Sequence, residues 1–177
     1  MNIETEHKYI IRMPSEEIIS SLPSSKIEQT YIDADGGESG HERVRRREYS
    51  DHTSYTHTKK HRISKMSSEE YEEEITETEY EELKTRICAG TRTVYKTRLL
   101  YRYADQTFEI DVYPFWKDIA VMELEVEEED IAVTLPPDIQ VIREVTGKKE
   151  FSNYALSRNI PDEGEILKDK SEHIDAE

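Results

Sequence analysis

Cysteine is almost absent: Cys88 stands alone in 177 residues, which excludes an intrachain disulfide framework. No apolar run is long enough to act as a signal segment or to span a bilayer, so no membrane partner is expected and the cytoplasm is the simplest location. Apolar residues are scarce too, at 34% against 36% charged, a share low for a globular chain. Eleven tyrosines and clear strand patterning nevertheless argue against disorder, and the length suits one domain with a single core. Positive charge is the other shortage. With 24 Lys and Arg against 40 Asp and Glu, and a net charge of −16, the chain is unsuited to non-specific nucleic-acid binding, which neutralises phosphates with basic side chains. Its cations are instead clustered, in Arg43-Val44-Arg45-Arg46-Arg47 and in Lys59-Lys60-His61-Arg62, which leaves room for a localised anion site.

What the chain does have is charge at alternate positions. Glu4, Glu6 and Lys8 share one face if their segment is a strand, and the same spacing of two recurs in Arg43/Arg45, Glu70/Glu72/Glu74, Lys96/Arg98 and Glu123/Glu125. Residues 3–12, 26–33, 42–49, 53–60, 68–75, 93–103, 107–113 and 119–127 read as eight strands. Turn chemistry at Asp35-Gly36-Gly37-Glu38 and Ser50-Asp51-His52 separates some of them. Pro14-Ser15-Glu16-Glu17 opens a short helix, and Thr76 with Glu79 forms a capping box for a helix carrying Tyr80, Leu83 and Ile87, ended by Gly90. Pro136-Pro137-Asp138 introduces a helix expected to run to Val145, and a short helical segment follows near Asn153–Leu156. From Pro161 the chain turns polar and acidic, and residues 161–177 are expected to form a mobile tail beyond a single domain of residues 1–160.

Eight strands with short connections favour an antiparallel sheet, and closing it removes the exposed edges. The expected fold is α+β: an eight-stranded antiparallel β-barrel with helices packed outside. On 121–127 the charged residues alternate with Met122, Leu124 and Val126, so the apolar face packs outward under helices and the charged face points into the barrel. An ordinary half-solvated sheet also alternates. It has no reason, however, to group charges by sign, since like charges repel along a strand. A polyanion site held through a divalent metal has that reason: Mg²⁺ or Mn²⁺ requires carboxylate oxygens, and phosphate beyond the metal requires Arg and Lys.

The ordered set of motifs resembles the CYTH superfamily, also called triphosphate tunnel metalloenzymes. It comprises Glu4/Glu6/Lys8, Glu42-Arg43-Val44-Arg45, Glu70/Glu72/Glu74, Lys96-Thr97-Arg98, Glu109-Ile110-Asp111-Val112, Met122-Glu123-Leu124-Glu125 and the segment 144–153. The resemblance implies a tunnel that binds a triphosphate-containing small molecule with Mg²⁺ or Mn²⁺ and hydrolyses it. By the same resemblance Glu4, Glu6, Glu123 and Glu125, with Glu70 or Glu72 and Asp111, form the metal and water-positioning side. Lys8, Arg43, Arg45, Lys96 and Arg98 hold the triphosphate, and Lys149 occupies the basic position of the closing segment. A further Lys is expected after the Arg pair; Lys59 and Lys60 compete, and Thr58-x-Lys60 favours Lys60.

Catalysis would be positioning and electrostatics, with Lys8, Lys96 or Arg98 at the leaving oxygen. Inorganic tripolyphosphate is the expected substrate. An adenylate cyclase, a thiamine or nucleoside triphosphatase and a non-catalytic polyphosphate-binding module are the alternatives, in a monomer or homodimer. His7, His41, His52, His57, His61 and His173 lack metal-ligand spacing and are expected at the surface or in packing, Cys88 is expected to be a small apolar contact, and Phe115 and Trp116 to pack a turn.

Overall fold

The computed structural model describes residues 2–33 and 42–172, with side chains to residue 168. The turn expected at Asp35–Glu38 therefore lies outside the described residues, as do His41 and His173. Among the described residues nine strands occur: β1 (Asn2–Arg12), β2 (Ser24–Tyr31), β3 (Glu42–Glu48), β4 (Thr53–Arg62), β5 (Ser67–Glu74), β6 (Val94–Tyr103), β7 (Gln106–Val112), β8 (Ile119–Val126) and β9 (Val141–Glu144). The helices are α1 (Glu16–Ser21), α2 (Glu77–Lys84), α3 (Asn153–Arg158) and α4 (Glu163–Glu172). The expected capping box is present at α2, where Thr76 Oγ1 accepts from the Glu79 amide and the Glu79 carboxylate accepts from the Thr76 amide. That helix stops at Lys84, before Ile87, which instead bridges to Ile32.

Around the barrel the antiparallel order is β1, β5, β4, β3, β2, β6, β7, β8 and back to β1, the eight-stranded closed barrel the alternation implies. Closure rests on β1: Asn2–Thr5 pair with Glu70–Ser67 on one edge, while Thr5–Arg12 pair with Val126–Ile119 on the other. Beyond Thr5 the first edge of β1 is taken by β9, with a bulge between Ile10 and Ile11. The helix expected from Pro136 to Val145 is thus replaced by a strand. Val141 and Ile142 are β-branched, and the open edge of β1 offers them backbone partners that a helix would forgo.

The outward face of β1, β6, β7 and β8 buries Tyr9, Ile11, Leu99, Phe108, Ile110, Met122 and Leu124, and Ile18, Ile19 and Leu22 of the α1 region pack over them. α2 covers Ile32 and Val44 with Tyr80. A third cluster comes from the inward rows, which change from charged to apolar toward one end: Ile10, Val94, Tyr113 and Val121 meet Phe151 and Leu156 and fill the barrel there. The tail expected from Pro161 packs as well. Its Ile166 is buried in this cluster, Trp116 Nε1 donates to Pro161 O at 3.1 Å, Arg143 Nη1 donates to Ile166 O at 2.9 Å, and the Glu163 carboxylate accepts from the amides of Lys117 and Asp118. Two apolar anchors, Ile166 and the partly buried Leu167, and four polar ties hold a helix that its low apolar content argued against.

The two-residue turn joining β6 to β7 places both Ala104 and Asp105 at positive φ, 51° and 58°. This is the backbone of a tight hairpin turn that suits Asn and Gly, and an alanine there is strained. Ala104→Asn is expected to raise stability by about 0.5–1 kcal/mol, read as an increase in urea midpoint with unchanged m-value.

Candidate functional site

The inward rows enclose a cavity of about 1040 Å³. Eleven Lys and Arg side chains line it against eight Glu, so a chain with 24 cations and a net charge of −16 spends nearly half its positive charge on this one surface. The signs are segregated around the barrel. Glu4 and Glu6 on β1, Glu70 and Glu72 on β5, Glu109 on β7, and Glu123 and Glu125 on β8 form one wall. Arg43, Arg45 and Arg47 on β3, Lys60 on β4 and Arg98 on β6 form the other, while Lys8 sits within the acidic wall and Lys149 at its margin. Lys60 is the residue that faces the cavity; Lys59 lies on the outer face near Glu42, at 3.6 Å.

Arg98 Nη1 pairs closely with Glu109 across the walls, at 2.8 Å, but three other cation–carboxylate contacts are loose. Lys8–Glu123, Arg43–Glu70 and Lys60–Glu4 lie at 3.4, 3.5 and 3.7 Å, longer than the usual charge-assisted bond. Among the described residues Arg45 pairs with no carboxylate: its Nε and Nη2 donate to Gln29 Oε1 at 3.1 and 2.8 Å, and burial, with Arg43 and Arg98 nearby, pulls its guanidinium down to about 9. Arg43 Nε, Gln29 Nε2 and Glu70 Oε2 are buried without a hydrogen-bond partner. Buried polar atoms are nearly always satisfied, so two orphans on the cavity wall, Arg43 Nε and Glu70 Oε2, with Gln29 Nε2 behind Arg45, mark a place built for a further polar ligand.

Lys96 and Asp111 differ from expectation. Both are wholly buried and neither lines the cavity. Asp111 Oδ1 accepts from Arg98 Nε at 2.8 Å, and Oδ2 accepts from Arg98 Nη2 and Lys96 Nζ at 2.9 Å each. Arg98 and Lys96 hold the Asp111 carboxyl far below the usual carboxylate range even though burial opposes this. With three N–H donors on its two oxygens, Asp111 holds two cations here, behind the cavity lining. Burial, with Arg98 and Arg45 adding to it and Asp111 opposing, pulls the Lys96 ammonium down to about 7.

The remaining carboxylates are crowded. Burial and then a hydrogen bond with Glu70 push Glu4 up to about 8. Burial and then the charge of Glu123 push Glu6 up to about 7. Burial opposes ionisation of Glu123, but Lys8, Arg98 and Lys96 draw it down to about 2. Among the described residues no three His, Cys, Asp or Glu side chains converge as a ready-made metal cage. The acids come as pairs, Glu4 beside Glu70 and Glu6 beside Glu123, the second of each pair raising the first's cost of ionisation. Paired carboxylates completed by water and phosphate oxygens are how Mg²⁺ is commonly held, so the donor set fits a hard divalent cation bound together with its anionic ligand.

Several residues in or just behind the lining carry no signal in the sequence. Tyr31 and Gln29 support Arg43 and Arg45 from β2, whose composition is neutral. Arg47 has the spacing of Arg43 and Arg45 and could have been read from it; its Nε donates to Ser25 Oγ at 2.9 Å. Arg62 fixes the mouth, donating to the carbonyls of Ser64, Lys65 and Gly147 at 2.9, 2.8 and 3.4 Å. Gly147, at φ +74°, lies so close that a Cβ would stand 2.9 Å from Lys65 Cβ.

A family model described as the CYTH domain matches residues 2–151. Among solved structures, the inorganic triphosphatase NE1496 is similar at 29% identity and a TM-score of 0.53, over 92% of this chain and 99% of that one. The PH1819 protein of Pyrococcus horikoshii OT3 shares the fold at 21% identity and a TM-score of 0.51, over 72% of this chain and 80% of its own. No curated protein sequence matches this chain.

Carboxyls raised to about 8 and about 7 from an ordinary 4.5 favour the folded state while protonated, and that contribution fades as pH climbs through those values. The metal-free protein is therefore expected to lose thermal stability between about pH 5.5 and 8.5, and millimolar Mg²⁺ to flatten the decline. Calorimetry across that range, with chelator and with Mg²⁺, checks both; below about pH 4 the low-held Asp111 and Glu123 impose the opposite trend.

Proposed function

The chain belongs to the CYTH family, and on that premise we propose that it is a divalent-metal-dependent triphosphatase acting on inorganic tripolyphosphate. The observation that carries this reading is the pair of opposed charged walls, with buried guanidinium and carboxylate atoms left unsatisfied between them. The likeness to a protein described as an inorganic triphosphatase, over most of both chains, supports the same reaction class.

In this reading Arg43, Arg45, Lys60, Lys8 and Arg98 hold the triphosphate oxygens, and Lys149 engages the outer end at the mouth. Glu4 with Glu70, and Glu6 with Glu123, would hold Mg²⁺ or Mn²⁺, with Glu72 and Glu125 beside them. The bound cation would supply the positive charge that lets phosphate approach these carboxylates, and would stabilise charge developing on the phosphoryl group. Water oxygen forms the new bond to a terminal phosphorus while the anhydride P–O bond breaks, giving phosphate and diphosphate. A tunnel carboxylate, Glu6 or Glu125, orients the water and takes its proton, and Arg98 or Lys8 meets the leaving oxygen. Asp111 keeps Arg98 aimed at the cavity.

An inorganic substrate is favoured by the lining. Its aromatic rings among the described residues are Tyr31 and Tyr154, which pack edge-on against each other at 5.3 Å and leave no slot between them for a heterocycle. Phosphate and diphosphate release from tripolyphosphate, ATP and thiamine triphosphate, each with Mg²⁺ and with Mn²⁺, tests the assignment; cyclic AMP from ATP, or silence on every substrate, would overturn it. Glu4→Gln and Glu123→Gln are each expected to lower kcat by about a hundredfold or more. Arg45→Ala should act mainly on KM, raising it about tenfold or more; an unchanged KM removes Arg45 from the clamp.

A further inference from the structure

We propose that Asn153 is a positioning residue for Lys96, an inference that rests on the triphosphatase reading. Asn153 opens α3 and lines the cavity. Lys96 lies behind the lining with no exposure. Its Nζ donates to Asp111 Oδ2 at 2.9 Å and to Asn153 Oδ1 at 3.4 Å.

Asp111 cannot orient the ammonium alone, because both of its oxygens also accept from Arg98 and their places are set by that fork. One shared acceptor fixes the distance of a three-donor ammonium and leaves its direction free. A second acceptor, carried on a different element, fixes the direction. Asn153 is itself held firmly. Tyr113 Oη donates to the same Oδ1 at 2.6 Å, and Tyr113 is packed in the apolar cluster that fills this end of the barrel. Ser152 caps α3, its Oγ accepting from the Ala155 amide at 3.1 Å. The packing of the filled end is thereby transmitted, through one amide, to a cation that stands behind Arg98 and next to Asp111.

A purely structural Asn153 would tie α3 to Tyr113 and leave turnover alone. The two roles separate in steady-state kinetics on tripolyphosphate combined with ¹H–¹⁵N spectra of the Lys96 ammonium, assigned by its disappearance in Lys96→Met. Asn153→Leu is expected to lower kcat about tenfold or more with KM within about twofold, and to shift or broaden the Lys96 resonance. Asn153→Asp keeps an acceptor oxygen and is expected to recover most of kcat and the sharp resonance. Wild-type kcat with an unmoved resonance in Asn153→Leu overturns the proposal, as does a joint loss of melting temperature and kcat in both variants. A wild-type protein that cleaves no triphosphate defeats the reaction assigned to the tunnel, and the Lys96 resonance still decides whether Asn153 positions it.

Discussion

Everything in this molecule follows from one geometric demand: a closed sheet with apolar residues on its outer face must put the alternate residues inside. Helices α1 and α2 take the outward rows of Ile, Leu, Met and Phe, so the inward rows are left to Glu, Lys and Arg. Charges gathered in a confined space repel unless opposites face one another. The barrel meets that demand by placing acids on β5, β1, β8 and β7 and bases on β4, β3 and β6. Where no ligand is demanded, at the filled end, the same inward rows revert to Ile10, Val94 and Val121. Chemistry and packing thus share single strands, divided by position along them.

Much of this was legible in the chain, because period two is a local property and the segregation of sign along strands survives without knowing their neighbours. The closed barrel and the acidic and basic rows follow from that periodicity, whereas the choice of Lys60 over Lys59 came from the family resemblance. What was not legible depends on partners distant in sequence. Asp111 looks like any other carboxylate until the β6–β7 register sets it opposite Arg98. Residues 141–144 become a strand because β1 has an open edge, which no local pattern announces. α4 holds through hydrogen bonds to Pro161, Ile166 and Glu163, ties invisible to a count of apolar residues. Tyr31 and Gln29 matter through the arginines they support, and neutral residues give no charge pattern to follow.

The distribution of charge also separates capture from exclusion. Most of the 40 acids lie outside the tunnel, giving a surface that repels anions at long range. Lys65, Lys148, Lys149 and Arg158 at the cavity margin are a local exception. An anion is thus drawn to one region of a molecule that rejects it elsewhere. Arg62 and the close approach of Gly147 to Lys65 keep that margin in shape, so the backbone around the mouth contributes to recognition without touching the ligand.

Strand β1 finds its longest partner, β8, more than one hundred residues later in the chain. The strand that carries Glu4, Glu6 and Lys8 must therefore wait, unpaired along that edge, while the ribosome makes most of the domain. Loop closure over such a span is slow, and assembly of this barrel is governed by its topology and less by the strength of any one contact. During that wait the alternating charges act as gatekeepers, since a strand studded with Glu and Lys resists pairing with other nascent chains. The side chains that equip the finished tunnel also keep its first strand soluble until its neighbours exist.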